Sequence, residues 1–378
     1  MKKTFLLSCL MLAAMPVMAA YTGHVYVDKN KNGVFDQSEK PLAGIKVSDG
    51  LNVVETAADG SFTLPGHERE RFIFITTPSV YKTFNRHYHK IEKKQSGYDF
   101  GLIPYSGRIR KNGSHRYIHI ADTEIFNTEN HADWVNNVRD YARNEQAAFI
   151  IHTGDICYEK GLKAHIKLMN TENMDCPVFY CIGNHDLVKG KYGEELFESI
   201  YGPVYYSFDA GNVHYVVTPM PGGDHAPGYT SDDVCRWLKN DLAHIRPGTP
   251  VVVFNHDLLT YEDTFIFKSK NAGSINLNEY NLKAWVYGHW HINYMKKQGD
   301  VYSVCTSSLD KGGIDHSTTA FRVMHVDSKG DFTSELRYTY LDKNICIASP
   351  AGVMASGVLP VAVNVYSSVS PVREVLYT

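Results

Sequence analysis

Five short apolar runs recur between residues 117 and 287, and each stops abruptly at side chains able to hold a cation. Tyr117-Ile118-His119-Ile120-Ala121 leads into Asp122-Thr123-Glu124, and Phe149-Ile150-Ile151-His152-Thr153 into Gly154-Asp155. Val178-Phe179-Tyr180-Cys181-Ile182 leads into Gly183-Asn184-His185-Asp186, Val251-Val252-Val253-Phe254 into Asn255-His256, and Ala284-Trp285-Val286-Tyr287 into Gly288-His289-Trp290-His291. Apolar runs of this length that end at turn residues read as buried strands. Between them, Trp134, Val135, Val138 and Tyr141, a stretch around 162–168, and Val234, Trp237, Leu238 and Leu242 recur at helical spacing. Strands alternating with helices predict βαβ units and a sheet covered on both faces. Such sheets carry their chemistry beyond the carboxyl ends of the strands, which is where all five polar endings fall.

Taken singly, each of these residues fits a turn or a satisfied core histidine. Together they form a donor set of carboxylate, imidazole and amide oxygen without thiolate, large enough for two ions. Asn184 is a poor base but a competent neutral oxygen ligand, which explains an amide beside His185.

The flanking sequence reads differently. Lys2 and Lys3, the apolar stretch 5–15 and Val17-Met18-Ala19 have the form of an export signal over residues 1–20. No other run approaches the roughly 20 apolar residues needed to span a bilayer. The formal net charge is −3 and no basic stripe occurs, so binding to a nucleic-acid duplex has no electrostatic support. Cys157, Cys176, Cys181, Cys235, Cys305 and Cys346 show no CxxC or zinc-finger spacing and read as buried free thiols.

Residues 21–106 alternate over short stretches (Gly23–Val27, Gly44–Val47, Ser61–Leu64, Arg71–Ile75) separated by Asp-Gly and Pro-Gly turns. That pattern predicts a small β-sandwich. Within it, Asp28–Glu39 matches a twelve-residue calcium loop. Asp28, Asn30, Asn32, Asp36 and Glu39 offer side-chain oxygens, Gly33 stands at the sharp turn, and Val34 offers a backbone carbonyl. The alternative is an Asn/Asp-rich hairpin that binds nothing. Behind the central segment, strands are predicted at Ala320–Val326, Phe332–Leu341, Val361–Tyr366 and Glu374–Tyr377, and the chain stops within the last, as in a β domain cut short.

As an ordered set, the five polar blocks resemble those of the calcineurin-like metallophosphoesterases across about residues 115–327, and the Tyr205–Val217 hairpin and Trp237–Leu242 helix are similar too. The resemblance implies a four-layer α/β/β/α sandwich over 114–327, preceded by the β-sandwich and followed by a partial β domain over 328–378. That arrangement is similar to an exported Bacteroidetes-type branch, periplasmic or at the cell surface of a Gram-negative bacterium. It further implies two divalent transition-metal ions (Mn, Fe or Zn) beside any structural calcium. Asp155 would bridge them, with Asp122, His291 and the side chain at Glu124 on one and Asn184, His256 and His289 on the other. A bridging hydroxide would attack a phosphomonoester or phosphodiester, carried on a small molecule, glycan or lipid, and His185, not a ligand, would protonate the leaving oxygen or steady the phosphoryl charge.

Two departures qualify this. The family usually has His where Glu124 stands, so the first site is harder and more acidic, or weaker. This leaves open a scaffold that binds without turning over. Gly154-Asp155-Ile156-Cys157-Tyr158-Glu159 also lacks the downstream Asp-Arg-Gly of the phosphoprotein phosphatases, which argues against that class.

Overall fold

The computed structural model describes residues 20–105, 107–339, 343–350, 357, 358, 360–367 and 372–376. Apart from Ala20, the expected export signal lies outside them. Among the described residues no helix is long and apolar enough to cross a membrane.

The central domain is built on two sheets, whose strands are numbered here within that domain. The first joins β1 (His115–Ile120), β2 (Phe149–His152) and β3 (Val178–Tyr180) in parallel, in the order β3-β2-β1. The second contains β4 (Tyr206–Ala210), β5 (Val213–Val217), β6 (Val251–Phe254), β7 (Leu282–Tyr287), β8 (Tyr294–Gln298) and β9 (Val301–Cys305), ordered β4-β5-β6-β7-β9-β8. Its middle strands β5, β6, β7 and β9 run parallel. The antiparallel hairpin β10 (Ala320–Val326) and β11 (Phe332–Tyr338) then completes the first sheet, β10 lying against β1.

Side chains alternate across a strand, so a run apolar at every position must be buried twice. Tyr117, Phe149 and Phe179 face the second sheet, while Ile118, Ile150 and Val178 face the outer helices. Between the sheets the core is aromatic. Phe179 stacks on Phe208 with centroids 3.8 Å apart, Tyr117 on Phe149 at 4.7 Å, and Tyr215 on Phe254 at 5.6 Å. Helices α1 (Ala132–Asn144), α2 (Tyr158–Leu168) and α3 (Glu195–Tyr201) bury Trp134, Val138, Leu162 and Phe197 against the first sheet. Helix α4 (Ser231–Ala243) buries Trp237, Leu238 and Leu242 into the core of the second. The result is the expected α/β/β/α sandwich.

The N-terminal domain pairs Tyr21–Val27 with Phe100–Pro104, and Lys46–Ser48 with Phe72–Ile75, in two sheets around Val25, Leu64, Ile73 and Leu102. Phe72–Ile75 is buried at all four positions. Ile73 and Ile75 point into the sandwich, whereas Phe72 and Phe74 enter the central core. Below that seam, His214 lies between Asp209 (2.7 Å) and Asp241 (2.8 Å), Ser207 bonds Asp241 at 2.8 Å, and Lys46 Nζ comes within 3.4 Å of the ring. Burial disfavours charge on His214, but Asp241 and Asp209 outweigh it and hold the imidazole above its usual pKa.

At the other end, the sequence places Phe332–Tyr338 in a C-terminal domain starting at 328. The structure instead pairs it with Ala320–Val326 from Val326↔Phe332 to Ala320↔Tyr338, so that boundary cuts a hairpin of the central sheet. Beyond it, Lys343–Ser349 and Ala362–Ser367 form a separate two-stranded ribbon. Glu374–Leu376 are not in a strand, and Tyr377 lies outside the described residues.

His214 is the cation between buried Asp241 and half-buried Asp209 at the domain seam, so removing it leaves Asp241 without its nearest counter-charge. His214→Ala is expected to cost about 3–5 kcal/mol of stability, read from the urea midpoint. A cost below about 1 kcal/mol would show that the charges find solvent there.

Candidate metal centre

The strands end where their backbones turn sharply, and the turns are unusual. Asp122, Glu124, Asp155, His289 and His291 all have positive φ, between 43° and 64°. Non-glycine residues avoid this region, and it persists only where the surroundings enforce it, most often at functional sites. Three glycines make room for the cluster. A Cβ on Gly183 would lie 2.2 Å from Asp155 Oδ1, one on Gly154 2.6 Å from His256 Nδ1, and one on Gly288 2.7 Å from Asp122 Oδ2.

All seven ligands expected from sequence meet here. His256 Nδ1–H donates to the Thr153 carbonyl at 2.7 Å, which leaves Nε2 to face Asp155 Oδ2 at 3.1 Å and Asn184 Oδ1 at 3.2 Å. A ring tied through one nitrogen is oriented to ligate through the other. Asp155, His256 and His289 offer ligand atoms within 4.8 Å of one another. His291 Nε2 lies 3.4 Å from Asp122 and 3.5 Å from Glu124. Asp122, fully buried, also accepts the His289 backbone N–H through both oxygens at 3.1 and 3.0 Å.

Crowding of carboxylates and imidazoles in one pocket shifts the proton equilibria of Asp122, Asp155, His256 and His291. Burial pushes Asp122 up. Burial would raise Asp155 as well, but the charge on His256 outweighs it and holds Asp155 low. Burial disfavours charge on His256, yet Asp155 pushes that ring up to about 10. Behind the cluster, burial raises Asp186 to about 7 while it accepts the N–H groups of Gly183 (2.9 Å) and Cys157 (2.8 Å). Divalent cations take the place of such protons, and this mixed oxygen and nitrogen set suits a transition metal.

His185 stands at the rim. Its backbone N–H donates to Asp155 Oδ1 at 3.0 Å, and its Nδ1 meets Asp224 Oδ2 at 2.8 Å. Burial lowers its pKa, but Asp224 and Asp155 bring it above the ordinary value.

Three partners escape the sequence reading. Asp224 sits in a Gly/Pro-rich loop with no periodicity to mark it. Lys311, which forms an ion pair with Glu124, follows the last motif by twenty residues. Asp186 belongs to the quoted tetrapeptide, but its role as a buttress needs the fold. Asn255 turns away from the cluster and ties down Thr218 and Pro219.

In the N-terminal loop, Asp28 caps Asn32 and Gly33 (3.1 and 2.9 Å), Glu39 caps Lys29 and Asp36 (2.8 and 3.2 Å), and Asp36 accepts from Asn30 and Asn32 (2.7 and 3.0 Å). The three carboxylates of this loop are thus engaged by N–H groups of the loop itself.

The fold and this donor cluster define a four-layer α/β/β/α metallohydrolase scaffold. Two family models match the sequence: the N terminal of Calcineurin-like phosphoesterase over residues 29–104 and Calcineurin-like phosphoesterase over residues 115–293. The chain belongs to the calcineurin-like phosphoesterases. Purple acid phosphatase 13 of Arabidopsis thaliana is 29% identical over 142 residues, which are 35% of this chain and 25% of that protein. This chain thus spans about a quarter of the length of that curated relative. A dimetal phosphatase structure from Danio rerio aligns over 58% of this chain and 98% of its own, at 12% identity and a TM-score of 0.40. A putative 5'-nucleotidase structure from Staphylococcus aureus aligns over 60% and 54%, at 12% identity and a TM-score of 0.37.

Because a Cβ at residue 183 would collide with Asp155, Gly183→Ala is expected to lower metal affinity about 10–100-fold with an unchanged far-UV CD spectrum. Unaltered metal content after dialysis would show that the turn yields without disturbing Asp155.

Proposed function

We propose that the chain is an exported, dinuclear-metal phosphoesterase acting on small phosphomonoesters or phosphodiesters. The observation that carries this is His256: its Nδ1 is committed to Thr153, and its free Nε2 lies 3.1 Å from Asp155 and 3.2 Å from Asn184. Asp122, Glu124 and His291 would hold one cation, Asn184, His256 and His289 the other, with Asp155 shared. When bound, the pair would lower the pKa of a water and clamp the phosphoryl oxygens for in-line attack.

The protein's own groups do the rest. His185, held through Nδ1 by Asp224, presents its other nitrogen to the cleft as the proton donor for the leaving oxygen. Its raised pKa keeps that proton available near neutrality. The buried walls around Asp122 and Asp155 exclude water from all sides but the cleft. The export signal supports a location outside the cytoplasm, and the Asp28–Glu39 loop is the candidate calcium site.

Asp155→Asn and His289→Ala are expected to abolish Mn²⁺-dependent turnover of bis-(p-nitrophenyl) phosphate and p-nitrophenyl phosphate. His185→Ala should retain metal and lose about 10²–10⁴-fold in kcat. A wild-type chain that keeps two ions and turns over neither ester would favour the non-catalytic binding scaffold that Glu124 raises.

The protonation of His256 gives a second test. A folded-state pKa raised above the unfolded value stabilises the metal-free chain below about pH 6.5, and this is lost as pH rises toward about 10. Ligation requires the neutral ring, so the rise in Tm conferred by Mn²⁺ should grow between about pH 6 and about pH 9. An increment independent of pH would remove His256 from the ligand set.

A further inference from the structure

We propose that Phe126 and Tyr158 form a platform for the leaving group, so that the preferred esters are those whose leaving alcohol carries a flat π-face. This rests on the phosphoesterase reading and names its substrate class.

The argument begins at His185. With Nδ1 held by Asp224, the leaving oxygen must approach the ring's other nitrogen, and whatever that oxygen carries extends outward past His185. There the Tyr158 ring lies with its centroid 5.2 Å from that of His185. Phe126 is nearly parallel to Tyr158, with centroids 6.1 Å apart and planes 18° apart. Phe126 is 51% exposed and Tyr158 42%, so two large rings stand open to solvent beside the proton donor. Lys311, paired with Glu124, holds its Nζ 5.8 Å from the centroid of Phe126, fixing that ring at the rim.

The backbone under Tyr158 is strained. Cys157 and Tyr158 have φ of 80° and 53°, and the Cys157 N–H is held by Asp186 at 2.8 Å. A bulky aromatic residue in this region is an outlier. An exposed ring gains too little from its own burial to offset that strain, whereas a ring that receives a ligand is where such strain is found. Stacking on an exposed aromatic face tolerates many planar groups, so an aryl ester and a nucleoside monophosphate share the required chemistry.

The test is turnover by the Mn²⁺-loaded chain of three esters: 2-naphthyl phosphate, adenosine 5'-monophosphate, and hexafluoroisopropyl phosphate. The last is an alkyl ester whose leaving group is of similar acidity to naphthol. Phe126→Ala and Tyr158→Asn should each raise KM about tenfold for whichever planar ester wild type prefers, with little change in kcat. The fluoroalkyl ester should be unaffected, and Phe126→Tyr and Tyr158→Phe should restore wild-type values. Which planar ester responds distinguishes an aryl from a nucleoside substrate. Tyr261→Ala, on the exposed ring that stacks on Trp290, should leave the preference intact. Equal losses on planar and fluoroalkyl esters, or none on either planar ester, would overturn the proposal. If wild type hydrolyses nothing, the phosphoesterase reading falls. The platform is then judged by quenching of naphthalene fluorescence on binding 2-naphthyl phosphate, where equal binding by Phe126→Ala would overturn it.

Discussion

The contact between Asp155 and His256 is the constraint from which the rest of the site follows. Two groups that are both buried and both able to carry charge lie 3.1 Å apart, with Asp122 within 4.0 Å of the same imidazole nitrogen. Without cations the arrangement survives only by placing a proton on His256. Desolvated carboxylates at this density are stable when something positive sits among them. The neighbouring structure restricts what that can be. Thr153 fixes the imidazole tautomer, Asn184 adds an uncharged oxygen, and the close approach of the cluster at 154, 183 and 288 admits only glycine there.

Beneath that crowding lies a densely buried base. Strands β1, β2 and β3 are buried on both faces, and the aromatic stack between the sheets fixes their spacing. On this base Asp122, Glu124, Asp155, His289 and His291 are held at positive φ. The N-terminal domain reinforces the opposite side. Phe72 and Phe74 enter the central core, and the cluster of His214, Asp209 and Asp241 seals the seam beside β4, β5 and α4. None of these contacts reaches the ligands, so the domain supports the second sheet without entering the chemistry.

The convergence of the candidate ligands was legible in the sequence because they follow closely on apolar strands. Position along a buried strand determines position in space, and five strands of one sandwich deliver their endings to one edge. The alternation of buried strands with helices was legible for the same reason, whereas the four-layer α/β/β/α arrangement was implied by the resemblance of the ordered blocks to the family. Asp224 and Lys311 were not, because they reach the site through loops, where the path depends on tertiary contacts rather than local period. The two-sided role of Phe72–Ile75 was also hidden: four consecutive buried residues read as one strand of a sandwich until a second core appears against it. Phe332–Tyr338 was misplaced because its run matches the tail strands in character, and only its pairing with Ala320–Val326 assigns it to the central sheet.

The same division separates what the scaffold keeps constant from what it can vary. Asp122, Asp155, Asn184, His256 and His289 stand at strand ends or in the tight turns that follow, and a shift of one residue in any strand would turn its side chains to the other face. Phe126, Asp224 and Tyr261 stand on loops around the rim and Tyr158 at the first position of α2, where a residue can change without disturbing the sheets. The departure at Glu124 falls on this border. Its backbone is held at a φ of 43° like the other ligands, yet its carboxylate is shared between His291 inside the cluster and Lys311 at the rim. A histidine there could not pair with Lys311, and Lys311 would then lose its anchor beside Phe126. The exchange of imidazole for carboxylate at this position therefore couples the charge of the metal centre to the placement of the ring that borders its cleft.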